Sequence, residues 1–282
     1  MHTKLNHYIP FFILIAATAC CFISCQQVIS VDLNNASPHI VIEGVVKDSM
    51  NSSGRYSVVL SMSGNYFAPS LYFPPVTGAV VVMADNLNQI DTLKEILSGS
   101  GIYQTSIIKG IPGTRYQLKV VAQGKEYDAA TSMPTKVFID SLYTIVRTGF
   151  GGRTGYDIYI MFKDPPELGN YYRVNVQSSA QIPADSIDGL RYRLFTDRLT
   201  NGTEMTVRIR GGDMVTKGDT ITIDLLSIDK ATYDYFNTLS NILSSDQSPT
   251  SLAPANPTTN ISGGALGYFA AYTVDTKKII LK

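Results

Sequence analysis

The chain has no tryptophan, only three cysteines and only three histidines in 282 residues. Cys20, Cys21 and Cys25 sit near the start, as do His2 and His7, so everything after Cys25 contains a single histidine, His39. A disulfide framework, a thiol nucleophile and zinc sites built from several Cys and His ligands are therefore excluded downstream of Cys25. A Ser-His-Asp device would have to use His39, whose place at the edge of a β-branched run suits a strand-edge residue better than a catalyst. Neither sign of charge is in excess, with 23 Lys and Arg against 23 Asp and Glu. No basic tract of the kind that holds nucleic acid is present. Carboxylate-only chemistry, such as a glycosidase pair, stays open with eighteen aspartates and five glutamates, but no spacing selects a pair. No catalytic set, metal-ligand set or cofactor motif is expected.

What the N-terminus does contain accounts for the cysteines. Lys4 precedes the apolar run from Tyr8 to Ile23, and Ser24-Cys25 closes it, which is the order of a secretory signal. A small residue directly before a cysteine is the bacterial lipoprotein pattern, in which that cysteine is lipidated and becomes the new N-terminus. Residues 1–24 are thus expected to be a lipoprotein signal peptide, with Cys25 as lipidation site and 25–37 as tether. The mature chain would have 282 − 24 = 258 residues, enough for one large or two ordinary domains. Ala17-Thr18-Ala19-Cys20 is an alternative box. An uncleaved anchor is another, although the apolar run is shorter than the ~20 residues of a spanning helix. Several acyl chains on Cys25 would give stable anchoring, so the expected partner is a membrane, through lipid. Gln26-Gln27 is not an acidic run, which leaves surface or periplasmic facing open.

The rest of the chain reads as short strands. His39 to Val46, Arg55 to Met62, Val76 to Val82, Ile102 to Thr105, Arg115 to Val121 and Tyr127 to Thr131 are β-branched or alternating runs between Gly, Pro and Asn turns. That rhythm predicts a β-sandwich over 38–134. Met133-Pro134-Thr135 interrupts it, and a second sandwich is expected over 135–282. Its strands fall at Ile139 to Val146, Tyr156 to Phe162, Asn170 to Val176, Arg191 to Phe195, Glu204 to Ile209 and Thr220 to Leu226, with two more at Leu266 to Tyr272 and Lys278 to Leu281. Between them lies one helix, about 229–243, capped by Asp229 and carrying Tyr235, Phe236, Leu239, Ile242 and Leu243 on one face. A long polar loop, 244–264, follows it.

These pieces in order resemble a family, the Bacteroidetes lipoproteins of domain of unknown function 4249. The matching stretches are Val28 to Leu33 after Cys25, Ile40 to Gly44, Pro75 to Val80, Gly101-Ile102-Tyr103, Gly113 to Leu118, Tyr171-Tyr172-Arg173, Tyr233 to Phe236 and Gly264 to Phe269. The resemblance implies an outer-membrane, lipid-anchored protein, often beside TonB-dependent receptors, with no established activity and no catalytic residues. The Pro-Val-Thr-Gly-Ala stretch also resembles transthyretin-like and carboxypeptidase-regulatory-like modules, and the second region a fibronectin type III-like sandwich.

Two smaller patterns bear on function. Asp48, Asp91, Asp140, Asp185 and Asp219 each open an Asp-Ser/Thr-apolar triplet that resembles the O-glycosylation signal of exported Bacteroidetes proteins. The same triplets are also how strands commonly begin. Calcium in the Asp85 to Asp91 or Asp185 to Asp188 turns would lack EF-hand spacing. The leading expectation is a non-enzymatic module that takes a glycan or peptide on some of its seventeen tyrosines and works with a TonB-dependent receptor in nutrient capture. An envelope assembly protein without a small-ligand site, and a carboxylate-dependent hydrolase, are the alternatives.

Overall fold

Period-two alternation decides most of this architecture. The computed structural model describes residues 37–48, 56–64, 73–148, 154–179, 193–210, 215–245 and 256–282. The strands of its first part are β1 (Ile40–Lys47), β2 (Ser57–Met62), β3 (Val80–Asp85), β4 (Ile90–Glu95), β5 (Ile102–Gln104), β6 (Arg115–Ala122) and β7 (Lys125–Ser132). In β6 the alternation is complete: Tyr116, Leu118, Val120 and Ala122 are buried and the intervening residues are exposed. Gln123 and Gly124 then take φ of 51° and 75°, the double positive φ of a tight hairpin turn, and β6 folds back onto β7.

The second part contains β8 (Ile139–Thr148), β9 (Thr154–Lys163), β10 (Tyr171–Ser178), β11 (Arg193–Thr196), β12 (Glu204–Arg210), β13 (Thr220–Ile228), helix α1 (Lys230–Ser245) and β14 (Leu266–Ile280). One sheet runs β11-β10-β13-β14-β1-β2-β5-β4-β3-β6-β7, and a smaller one runs β12-β9-β8. The long sheet doubles over, so Ile42, Leu60 and Phe269 meet Met83, Tyr116 and Leu118 in a first core. A second core lies between the small sheet and the β10-β13-β14 end of the long one, where Ile158, Ile160 and Phe162 face Tyr172, Val174 and Ile223. Full burial of a side chain of this size contributes about 1.5–3 kcal/mol. The protein is mainly β, built as two β-sandwiches.

Strand β14 joins them. It pairs in parallel with β1 over Leu266 to Tyr272 and antiparallel with β13 over Thr273 to Ile280. Its odd-numbered residues share one face, and Phe269 and Ala271 fill the first core while Ile279 packs on the second. Between them, Thr273, Asp275 and Lys277 meet the connecting segment. Thr273 Oγ1 donates to Thr135 O at 3.5 Å, Asp275 Oδ2 accepts from Ile139 N–H at 2.9 Å, and Lys277 Nζ donates to Asp140 O at 3.1 Å. The two strands expected at Leu266–Tyr272 and Lys278–Leu281 are therefore one. Its polar centre is matched to the chain crossing between the cores. The first core likewise is not confined to 38–134, since Ile261, Ala265, Phe269 and Ala271 return to it from the far end of the sequence.

Other differences have local causes. Strand β3 starts at Val80 rather than Val76 because Gly78 breaks the run at φ 67°. Strand β4, whose pattern Ile-Asp-Thr-Leu-Lys-Glu is mostly polar, is an element not expected from the sequence. The expected loop 244–264 divides: α1 reaches Ser245, 246–255 lies outside the described residues, and the remainder is held down. Asn260 Nδ2 donates to Phe269 O at 2.7 Å and to Ala130 O at 3.3 Å, and its Oδ1 accepts from Phe269 N–H at 3.0 Å. One side chain thus bridges β7 and β14, and Ile261 beside it is buried.

Candidate functional site

Of the residues singled out in the sequence, Cys25 and its alternative Cys20 lie outside the described residues. His39 is exposed at the start of β1, where its N–H donates to Ser63 Oγ at 2.9 Å and its Nδ1 lies 3.2 Å from Gly264 O. The Asp-Ser/Thr-apolar triplets that can be seen stand at strand starts: Asp91 is the second residue of β4, Asp140 the second of β8, and Asp219 precedes β13. Asp91 is buried and accepts from Ser106 N–H, Ser106 Oγ, Ile107 N–H and Ile108 N–H at 2.6–3.3 Å. Burial works to raise its pKa, but the bonds from Ile107, Ser106 and Ile108 outweigh it and hold the carboxyl below its ordinary value. Asp85 Oδ1 accepts from Leu87 N–H and Gln89 N–H within its own turn. No group of three metal-ligating side chains occurs among the described residues. The Asp185 to Asp188 turn lies outside them.

The concave aromatic surface is at the first turn of α1. Asp229 fixes that turn: its Oδ1 accepts from Thr232 N–H at 2.9 Å as an N-cap, while its Oδ2 accepts from Thr131 Oγ1 at 2.7 Å. Lys230, Tyr233 and Asp234 are thereby presented along one wall of an open groove of ≈ 590 Å³, lined also by Tyr171, Thr196, Arg198, Leu199, Thr200 and Met205. Tyr171 and Tyr233 lie with ring centroids 5.0 Å apart at 45°. The opposite wall is a short 3-10 turn, Asp197–Leu199, and two buried carboxylates hold it in place. Asp197 Oδ2 accepts from Gly169 N–H and Asn170 N–H at 2.7 and 2.9 Å. Asp164 accepts from Tyr172 Oη at 2.5 Å and from Gly202 N–H at 2.9 Å. Burial and the Asp164 bond push the Tyr172 phenol far above its ordinary range, so it stays a donor.

Lys230 Nζ lies 2.6 Å from Asp234 Oδ2, and that carboxylate raises the ammonium pKa. Arg198 has no side-chain partner among the described residues, nor do the hydroxyls of Tyr171 and Tyr233. Leu199, 88% exposed, stands at the rim. The volume falls in the range of small-molecule sites.

A second cavity of ≈ 210 Å³ shares Tyr171 and Lys230 with the first and runs under Pro134, Thr135 and Ser227. A third of ≈ 490 Å³ lies on the outer face of β3-β6-β7, without an aromatic wall. Each of the three is lined by a single acid, Asp234, Asp229 or Asp128 respectively, so the facing pair a carboxylate hydrolase needs is in none of them.

The aromatic stripe expected on α1 has mostly a packing role. Tyr235 and Phe236 meet Tyr268 at 4.6 and 5.1 Å, and Arg173 lies 3.9 Å above the Phe236 ring. Leu243, expected on the same face, is 47% exposed. Burial, followed by the nearby Glu43 charge, pushes the Tyr268 phenol well up. The cleft residues Tyr171 and Tyr233 were already visible as members of the Tyr171-Tyr172-Arg173 and Tyr233 to Phe236 motifs. Arg198, Leu199 and Thr200 carried no sequence signal, because only the 3-10 turn brings them opposite the helix.

Elsewhere, β8 presents Tyr143 stacked on Tyr159 at 5.2 Å and 5°, beside exposed Ile145 and Val146. No helix among the described residues is long and apolar enough to cross a membrane.

A family profile described as "Domain of unknown function (DUF4249)" matches residues 26–278. No curated protein matches the chain. Among solved structures, a two-domain fibronectin type III segment of chicken tenascin overlaps 70% of this chain and 89% of its own at 11% identity, with a TM-score of 0.20. Bovine butyrophilin overlaps 67% of this chain and 92% of its own at 8% identity, with a TM-score of 0.21. Superpositions this slight add nothing to the topology described above.

Proposed function

The chain belongs to the DUF4249 family, and we propose that it is a lipid-anchored envelope protein whose Tyr171/Tyr233 cleft binds a glycan or peptide, as an accessory module to a TonB-dependent outer-membrane receptor in nutrient capture. The observation that carries this reading is the cleft itself. Two tyrosines with hydroxyls unengaged among the described residues, a cation with no partner among them and an exposed leucine converge on a groove of ≈ 590 Å³. Aromatic faces pack on sugar rings or peptide side chains while their hydroxyls donate and accept hydrogen bonds. The helix cap and the two buried carboxylates beneath pre-organise the walls, which lowers the ordering cost of binding. On this reading a lipid on Cys25 would hold the module at the outer membrane, within reach of such a receptor.

The test is a glycan and peptide array probed with the detergent-purified full chain and with Tyr171→Ala and Tyr233→Ala. Loss of signal in both variants at unchanged melting temperature is expected. Signal that survives both substitutions, or its absence from the wild type, would sink the ligand assignment. A deletion strain with normal uptake and no receptor co-purification would sink the receptor part.

One observation favours a second reading, that of an envelope assembly protein. Strand β8 is the edge of its sheet, and its outer half carries Tyr143, Ile145 and Val146 in solvent, a surface suited to pairing with another protein.

A further inference from the structure

We infer that the cleft selects an anionic sugar, a uronic-acid type of oligosaccharide, over its neutral counterpart; this rests on the cleft being a ligand site, as proposed above. Its lining carries two cations, Arg198 and Lys230, against one carboxylate, Asp234, so it has one positive charge in excess. Asp234 is engaged with Lys230 at 2.6 Å, which leaves Arg198 as the cation with no partner among the described residues. A guanidinium presents a planar fork that meets a carboxylate through two parallel N–H bonds.

Its backbone is held for that task. Arg198 N–H donates to Thr196 Oγ1 at 3.1 Å, and the Asp197 carboxylate next to it is tied to Gly169 and Asn170. The remaining polar groups are small and neutral. The hydroxyls of Tyr171 and Tyr233 are unengaged among the described residues, and Thr196 and Thr200 also line the cleft. Ring hydroxyls next to a carboxylate match that set, with the tyrosine faces against the ring C–H groups. An acidic peptide would satisfy Arg198 but brings few hydroxyls to the others, so a sugar acid is the better fit.

The experiment titrates the detergent-purified full chain with a uronic-acid trisaccharide, the neutral trisaccharide of the same linkage, and a short polyglutamate peptide, at low and high salt. The acidic sugar should bind about tenfold tighter than the neutral one, the equivalent of one charge-assisted contact. That gap should shrink as salt rises. Arg198→Gln, at an exposed side chain and so expected to melt as the wild type does, should close it to within about threefold. Equal affinity for both sugars, lost in Tyr171→Ala, would overturn the charge selectivity and leave the cleft reading standing. Preference for polyglutamate would overturn the sugar assignment. Binding of none of the three would overturn this inference, and a blank array as well would overturn the cleft reading with it.

Discussion

Gly267 is the residue on which the union of the two sandwiches depends most sharply. It sits in β14 opposite Ile42 of β1 with φ of 95°, and a Cβ built there would lie 2.1 Å from Ile42 O. For Gly267→Ala two costs add. A left-handed backbone conformation costs an alanine about 1–2 kcal/mol. The overlap is with backbone, so it is relieved only by moving β14 off β1, which loosens ladder hydrogen bonds worth about 1 kcal/mol each. The sum is about 3–5 kcal/mol, a large part of the ~5–15 kcal/mol that stabilises a typical domain. For a protein of this size the melting temperature should fall by about 6–10 °C. Gly264→Ala is the matched control: its φ is 81°, but nothing lies within 4 Å of the added Cβ, so only the conformational cost applies. Urea unfolding of the pair reads the difference directly. Equal losses in the two variants would refute the claim that β14 is pressed against β1 at this point.

Three other outcomes follow from the same geometry. Asp91 has a folded pKa below its ordinary value, so its stabilisation is full above the ordinary carboxylate range and is lost as pH falls through the folded value; Asp91→Asn should destabilise at neutral pH and flatten the acid limb of a stability–pH curve, and an unchanged limb would contradict this. Asp229→Ala removes the cap of α1 and its link to Thr131, and should cost about 1–3 kcal/mol with faster amide exchange across α1; protection of that helix as in the wild type would contradict it. Cys25→Ser should move a folded protein from the membrane fraction to the soluble one, whereas retention would point to Cys20 or an uncleaved anchor.

Legibility in the sequence followed how far each residue's surroundings were local. The alternation of Arg115 to Val121 and the Asp229 cap report contacts within a few residues, and both were visible. Strand β14 was not, because Thr273, Asp275 and Lys277 face a crossing segment more than 130 residues away in sequence, and polar residues in a strand otherwise read as its end. Strand β4 was missed because Asp91 is buried in it, matched by donors from a separate turn. For the cleft, the two tyrosine motifs were legible but their partnership was not. Tyr171 lies in β10 and Tyr233 in α1, and only the packing of that helix against the sheet brings them together.

The cleft reading is tested most directly by one paired titration, in which a ligand taken from the array is added to the wild type, Tyr171→Ala and Ile145→Ser. Binding at Tyr171 and Tyr233 requires that Tyr171→Ala weaken affinity by at least about tenfold while Ile145→Ser, on the β8 edge, matches the wild type. Weakening by Ile145→Ser with no effect of Tyr171→Ala would place binding on β8 and contradict the cleft.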